Sequence, residues 1–519
     1  MDNFEPTAAA RPTDPANERM PTDIVGLDDV LGGGFPANRL YLLEGDPGTG
    51  KTTFALQFLL AGARRGEPVL YVTLSETEDE LRANAGSHGW TLAGVNIFEL
   101  IPPEESLRPE AQYTIFHPSE IELSDTTGAV LAEVERLQPR RIVFDSLSEM
   151  RLLAGDALRY RRQLIALKQY FAGRRCTVLL LDDRTTTEGD LQVHSIAHGV
   201  ISLEQIMQPY GAERRCLRVR KLRGSRYRGG NHDFKIETGG NVVFPRLVAA
   251  EHHEEFARMP VPSGVGELDA LLGGGLDRGT STLLLGPAGS GKSSVAARFA
   301  ATAAERGEIS AIYVFDETLA TYIARARGLG IDLQAYIDTG RVRLQQIDPA
   351  ELTPGEFTHI LCRAVDQEGA RVVVIDSLNG YLQAMPEERY LIAQMHELLM
   401  YLNQKGVVSL LVTAQHGFLG SSMIAPVDVS YLADTVLLFR YFEARGAVRN
   451  AISVVKKRTG YHERAIRELN ISKDGVVVGR PLTEFHGVLT GVPLFSGSAS
   501  TLREATSPRE ADATGDDQG

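Results

Sequence analysis

The chain comprises 519 residues, 43% of them apolar and 23% charged, a composition that supplies two or three globular cores and favours several domains over one large fold. A formal net charge of −13 and a pI near 5.5 argue against a surface built to neutralise nucleic-acid phosphates, which needs an excess of Lys and Arg on some face. Cys176, Cys216 and Cys362 stand far apart without CxxC or zinc-ligand spacing, so neither a disulfide framework nor a structural metal is expected, and the three are read as reduced thiols packed inside a cytoplasmic protein.

Residues 1–18 are rich in Pro, Ala and charge, lack the apolar stretch of a secretory leader, and are expected to be disordered. No apolar run approaches the roughly 18 residues that a membrane helix requires. From Arg19 the sequence reads RMPTDIVGLDDVLGGGFPANRLYLLEGDPGTGKTT, and from Arg258 a relative of it, RMPVPSGVGELDALLGGGLDRGTSTLLLGPAGSGKSS. Lys51 and Lys292 lie 241 positions apart (292 − 51), and Gly32 with Gly273 and Phe58 with Phe299 keep the same interval. Two diverged copies of one domain in tandem account for this. The first is expected over 19–247 and the second over 258–495, with a linker at 248–257 and a polar, acidic, disordered tail at 496–519.

Within each copy, short apolar runs alternate with helical patterns. RLYLLEG, PVLYVTL, RRIVFDSL and CTVLLLDD in the first match TSTLLLG, SAIYVFDE, RVVVIDSL and VVSLLVTA in the second. Continuous apolar strands alternating with helices predict an α/β fold, each copy a mostly parallel twisted sheet flanked by helices on both faces.

Each first strand runs into the pattern GxxxxGK[ST]. In the first copy the candidate nucleotide-binding residues are Gly45, Gly48, Thr49, Gly50, Lys51, Thr52 and Thr53; in the second they are Gly286, Gly289, Ser290, Gly291, Lys292, Ser293 and Ser294. The glycines let consecutive N–H groups and the following helix N-terminus face a phosphate, the lysine reaches the β- and γ-phosphates, and the hydroxyl of Thr52 or Ser293 ligates Mg²⁺. Two such cradles, each between a strand and a helix at equivalent positions, point to ATP with Mg²⁺ at both.

Further along, RIVFD and VVVID each end a buried strand in an acid, Asp145 and Asp376, placed to hold a magnesium-bound water. A cap on the next helix is the plainer role for an Asp there. LSETEDEL and FDETLATY supply Glu76, Asp316 and Glu317, candidate bases just beyond the strand that follows the P-loop helix. Glu78, Asp79 and Glu80 read instead as helix N-terminal acids.

With these residues assembled, the chain resembles the KaiC family, double-domain P-loop ATPases of the RecA superfamily found in the circadian clock, over roughly Arg19 to Pro493. The resemblance rests on the two P-loops, GLDDVLGGG and ELDALLGGG ahead of them, the strands ending in DSL, VRKLRGSRYRGGNHDF at Val219, VVKKRTGYHERAIRE at Val454 and the closing FHGVLTGVP. It implies two tandem RecA-like domains, a homo-oligomer in the form of a hexameric ring, and ATP held between subunits. By the same resemblance Lys221 and Arg223, and Lys456 and Arg458, reach the nucleotide of the neighbouring subunit. It also implies an autokinase in the second domain and protein partners of a clock or related signalling system. The family's adjacent Ser-Thr acceptor pair falls here on Ser430 and Tyr431, so the second acceptor departs from the pattern. So does the first domain's Ser75-Glu76, where the family has two adjacent carboxylates.

Two rival readings remain open at the level of residues: an ATP-gated oligomeric signalling scaffold with little turnover, and a RecA- or DnaB-like DNA motor. The acidic balance and the lack of an Arg/Lys-rich loop with interleaved aromatics speak against the motor.

Overall fold

Strand β1 (Leu40–Gly45) is buried at every position, as a parallel strand covered on both faces must be. Its side chains alternate between two cores. Tyr41 and Leu43 pack with the helix that follows the P-loop, and Leu40 and Leu42 pack with Tyr160, Leu164 and Leu167 on the other side. The computed structural model describes residues 18–100, 118–184, 192–208, 210–383, 391–415, 432–444, 446–489 and 494–496. The expected disordered ends and the acceptor pair Ser430 and Tyr431 fall outside these residues, apart from residues 18 and 496 at the edges of the two terminal segments. The chain divides into two compact units, the first running to Arg246 and including the short segment Thr353–Glu356, the second holding the remainder from Leu247 onward.

In the first unit β1 is followed by α1 (Lys51–Ala63), β2 (Val69–Thr73), α2 (Glu78–Ser87), β3 (Val95–Glu99), β4 (Arg141–Asp145), β5 (Thr177–Asp183), α3 (Gln192–Ile196), β6 (Gly199–Ile206), β7 (Arg214–Leu222), β8 (Asn231–Glu237) and β9 (Gly240–Phe244). The sheet order is β3-β2-β4-β5-β1-β6-β7-β8-β9. Pairings from β3 to β6 are parallel and those from β6 to β9 antiparallel.

The second unit repeats this plan with β10 (Ser281–Gly286), α4 (Lys292–Glu305), β11 (Ile309–Val314), α5 (Leu319–Gly328), β12 (Val342–Gln346), β13 (Ala370–Asp376), β14 (Val408–Ala414), β15 (Thr435–Ala444), β16 (Ala447–Lys457), β17 (Arg467–Ser472) and β18 (Gly475–Pro481). Its order, β12-β11-β13-β14-β10-β15-β16-β17-β18, is that of the first sheet element for element. The expected fold, two tandem RecA-like α/β domains with mostly parallel sheets flanked by helices, is therefore the observed one.

One buried charge anchors the first unit. Arg141, at the start of β4, is fully buried, pairs with Glu67 at 2.6 Å, donates to the carbonyls of Pro21 and Phe58 at 2.8 and 2.9 Å, and lies 4.9 Å from the centre of the Phe58 ring. A guanidinium is tolerated there because each face of its fork meets an acceptor or an aromatic ring.

Candidate active sites

The P-loop of the first unit leaves β1 at Gly45 and enters α1 through Gly50, whose φ of 94° is left-handed. A side chain there would be strained and its Cβ would lie 2.7 Å from Ile236. Thr49 Oγ1 closes the turn on the Asp46 carbonyl at 2.8 Å. The buried ammonium of Lys51 sits at the loop's centre, on the Gly45 and Asp46 carbonyls at 2.9 and 3.0 Å and on Asp183 at 2.7 Å. Thr53 is buried behind it.

Asp145 ends β4, buried, with Thr52 Oγ1 at 3.4 Å and the Tyr71 hydroxyl donating to the same carboxylate oxygen. Burial pushes its pKa up, against the opposing Tyr71 hydrogen bond and the charge of Lys51. Glu76 is half-buried just past β2. Thr73 Oγ1 pins its backbone by accepting from its N–H at 3.0 Å and donating to its carbonyl at 2.7 Å. Its carboxylate makes no hydrogen bond or ion pair among the described residues. Burial first, then the charge of Asp145, raises its pKa, which favours proton uptake.

The second unit reproduces the cradle with different acids around it. Gly291 has φ 95°, Ser290 Oγ bonds the Pro287 carbonyl at 2.8 Å, and Lys292 bonds the carbonyls of Gly286 and Pro287 at 2.9 and 2.6 Å. Ser294, like Thr53, is buried. Burial pushes the Lys292 ammonium down to about 8, against the pull of Asp376. Asp376 is pushed up to about 6 by burial, partly offset by a hydrogen bond from Ser293. Its Oδ2 is buried with no hydrogen-bond partner among the described residues. Beyond β11, Asp316 is exposed and accepts from Ser377 Oγ, and Glu317 is ion-paired with Arg325 of α5.

P-loop, hydroxyl, strand-end acid and candidate base thus converge in each unit. The basic pairs do not join them. Lys221 on β7 is opposite Val200 of β6, which is opposite Leu42, whereas the P-loop begins at Gly45, opposite Leu203. Lys456 on β16 is opposite Val436 of β15, itself opposite Leu283, three positions before Gly286. In each sheet the lysine therefore sits about 10 Å behind its own P-loop along the strand direction. Lys221 donates to the His194 carbonyl, and burial together with Arg223 lowers its pKa. Arg223 bonds the Ser195 carbonyl at 3.1 Å, Lys456 the Ala433 carbonyl at 2.7 Å, and Arg458 pairs with Asp434 at 3.2 Å.

Comparison with known proteins identifies this arrangement. A family model described as "ATPase: KaiC" matches residues 20–248 and again 261–483. The chain belongs to the KaiC family. It is 27% identical over 501 residues to the circadian clock protein KaiC3 of Synechocystis sp., covering 94% of this chain and 96% of the relative. It is likewise 27% identical to the circadian clock oscillator protein KaiC of Thermostichus vulcanus, over 486 residues, and of Synechococcus elongatus, over 485 residues, with 92% of each chain covered in both cases.

Within this KaiC-family frame the two sites differ at positions that the sequence reading passed over. Asp183 reaches Lys51 because β5 sets it directly opposite Gly45; the residue opposite Gly286 is Ala414. Glu44, buried next to the P-loop, accepts from Ser202 Oγ and pairs with His194 Nε2, both at 2.7 Å. Burial alone would raise its pKa, but the His194 and Ser202 hydrogen bonds prevail and lower it. The second unit has the apolar pair Leu285 and Leu438 in the same register. Tyr71 is matched by Ile312, 241 positions on (312 − 71). The only advance signal was the acidic end of CTVLLLDD; the others needed the two copies compared column by column.

Proposed function

We propose that this protein binds ATP with Mg²⁺ at both P-loops and hydrolyses it, each site being completed by cations of a neighbouring subunit in a hexameric ring. The observation that carries the reading is the placement of the KxR pairs. Lys221 and Lys456, each with its arginine two positions on, lie two strands across and about 10 Å back along the strand direction from the P-loop of their own unit, a placement that suits cations offered to an adjacent copy.

The cradles fit the nucleotide. Replacing Gly50 or Gly291 would fill the turn, and both lysines stand among backbone carbonyls that a phosphate would displace as partners. The unpartnered Oδ2 of Asp376 and the Thr52–Asp145 contact suit a cation held by one hydroxyl, one carboxylate and the nucleotide's own oxygens. Magnesium, when bound, neutralises charge on the β- and γ-phosphate oxygens. Glu76 or Glu317 accepts a proton from the attacking water as the new oxygen–phosphorus bond forms and the bond from the γ-phosphorus to the ADP oxygen breaks. The neighbour's lysine and arginine offset the charge that develops on the transferred group.

The second unit is further proposed to transfer phosphoryl groups to its own Ser430, and Tyr431 is the other candidate acceptor. The ring would act through protein partners in clock-type or related signalling. Steady-state phosphate release tests the hydrolytic reading. Glu76→Gln and Glu317→Gln together should abolish it while nucleotide binding persists; an unmodified protein that binds ATP with no measurable turnover would favour the gated scaffold. Phosphopeptide mass spectrometry over residues 421–435 tests the kinase: phosphate at Ser430 that disappears in Lys292→Ala supports it, and ATP consumption without phosphate there overturns it.

A further inference from the structure

Helices α2 and α5 start just after the candidate bases and occupy identical positions in the two copies, 78 to 87 and 319 to 328. Two turns along, Arg325 meets Glu317 in the second copy, and the equivalent position in the first, 241 residues earlier (325 − 241), is Asn84. Arg325 ion-pairs with Glu317 and stacks 4.7 Å from the centre of the Tyr322 ring, whose counterpart in the first unit is the buried Leu81. Thr318 caps α5 by accepting from the Thr321 N–H at 3.3 Å, which fixes the helix start beside Glu317. The neighbouring Asp316 is itself held by Ser377. Both acids of the second site are engaged, whereas the Glu76 carboxylate is unengaged among the described residues.

We infer that Arg325 is a positioning residue that holds Glu317 in a resting ion pair and restrains hydrolysis at the second site, so that ATP turnover runs mainly at the first. A carboxylate bound to a guanidinium has lone pairs committed to a charge-assisted contact, and it must give up that contact to take a proton from water. The stacked Tyr322 ring holds the guanidinium in place. The restraint would spare bound ATP in the second unit for slower events there, including transfer to a side chain. The inference rests on the ATPase reading proposed above.

Swapping the residues between copies tests it in the full chain. In a Lys51→Ala background, which leaves only the second site, Arg325→Asn should raise kcat for phosphate release by at least about threefold with KM nearly unchanged, and Arg325→Lys should stay as slow as the parent. In a Lys292→Ala background, which leaves only the first site, Asn84→Arg should lower kcat by a similar factor while affinity for a fluorescent ATP analogue holds. An Arg325→Asn protein no faster than its parent, or an Asn84→Arg protein as fast as its own, overturns the restraint. The gain of rate and the retained affinity are outcomes that misfolding cannot produce. If the unmodified protein binds ATP but releases no phosphate, the ATPase reading falls and the restraint with it. If phosphate is released and neither swap moves kcat, the restraint alone falls.

Discussion

The hydroxyl of Tyr71 donates a hydrogen bond to the buried carboxylate of Asp145, and the equivalent position in the second unit, Ile312, has no hydroxyl to offer Asp376. The same strand-end acid thus accepts from a strand hydroxyl in one copy, whereas in the other its Oδ2 has no hydrogen-bond partner among the described residues. Tyr71→Phe keeps the ring and removes the donor. A hydrogen bond to a charged group contributes about 1.5 to 3 kcal/mol, so the variant should unfold at lower urea concentration. Urea melts monitored by circular dichroism check this, and an unchanged midpoint would mean that the bond contributes nothing.

Arg141 gives a larger expected loss. Arg141→Ala strips Glu67 of its partner and opens a cavity beside Phe58, and breaking one side of a buried pair costs about 3 to 5 kcal/mol. The first unit should melt well below the second in a calorimetric scan. A thermogram indistinguishable from that of the unmodified protein would contradict the anchoring role.

His232 makes stability depend on pH. The ring is fully buried; its Nε2 donates to the Arg228 carbonyl at 2.9 Å and its Nδ1 accepts from the Arg246 N–H at 2.9 Å. Burial pushes its pKa down to about 4, and burial likewise lowers that of His198 to about 4. An imidazole that titrates near 6.5 when unfolded then binds its proton more readily in the unfolded chain. The contribution of neutral His232 is complete above about pH 6.5 and is lost as the pH falls toward 4, up to about 3 kcal/mol in all. Unfolding free energies measured from pH 7.5 to 4.5 should fall, and His232→Gln should flatten the slope. An equal slope in the variant would assign the acid sensitivity to other groups.

Much of the fold and half of each site were legible in the sequence, for physical reasons that particular residues make plain. LYLLEG and VVVID read as buried parallel strands because a strand covered on both faces has no polar face to interrupt it. Gly50, Lys51 and Thr52 read as a phosphate cradle because spacing alone sets their geometry. Asp145 and Glu76 could be named because strand ends beside a P-loop are where acids act. Arg325 could not, since an arginine two turns into a helix looks like any solvated cation until Glu317 is seen against it. Glu44 was hidden differently: its partners His194 and Ser202 lie more than 140 positions away and meet it only once β6 pairs with β1.

If each P-loop is completed by cations from another subunit, mixing two inactive variants should restore activity. Lys292→Ala subunits keep Arg458 and Lys456 but lack a working second cradle, whereas Arg458→Ala subunits keep the cradle and lack the cation. To isolate the second site, both are built on Lys51→Ala, and phosphate release is measured for each alone and for an equimolar mixture reassembled in ATP. The mixture should recover second-site activity that neither variant shows alone. Activity in the mixture no higher than the mean of the two separate preparations would contradict sites shared between subunits.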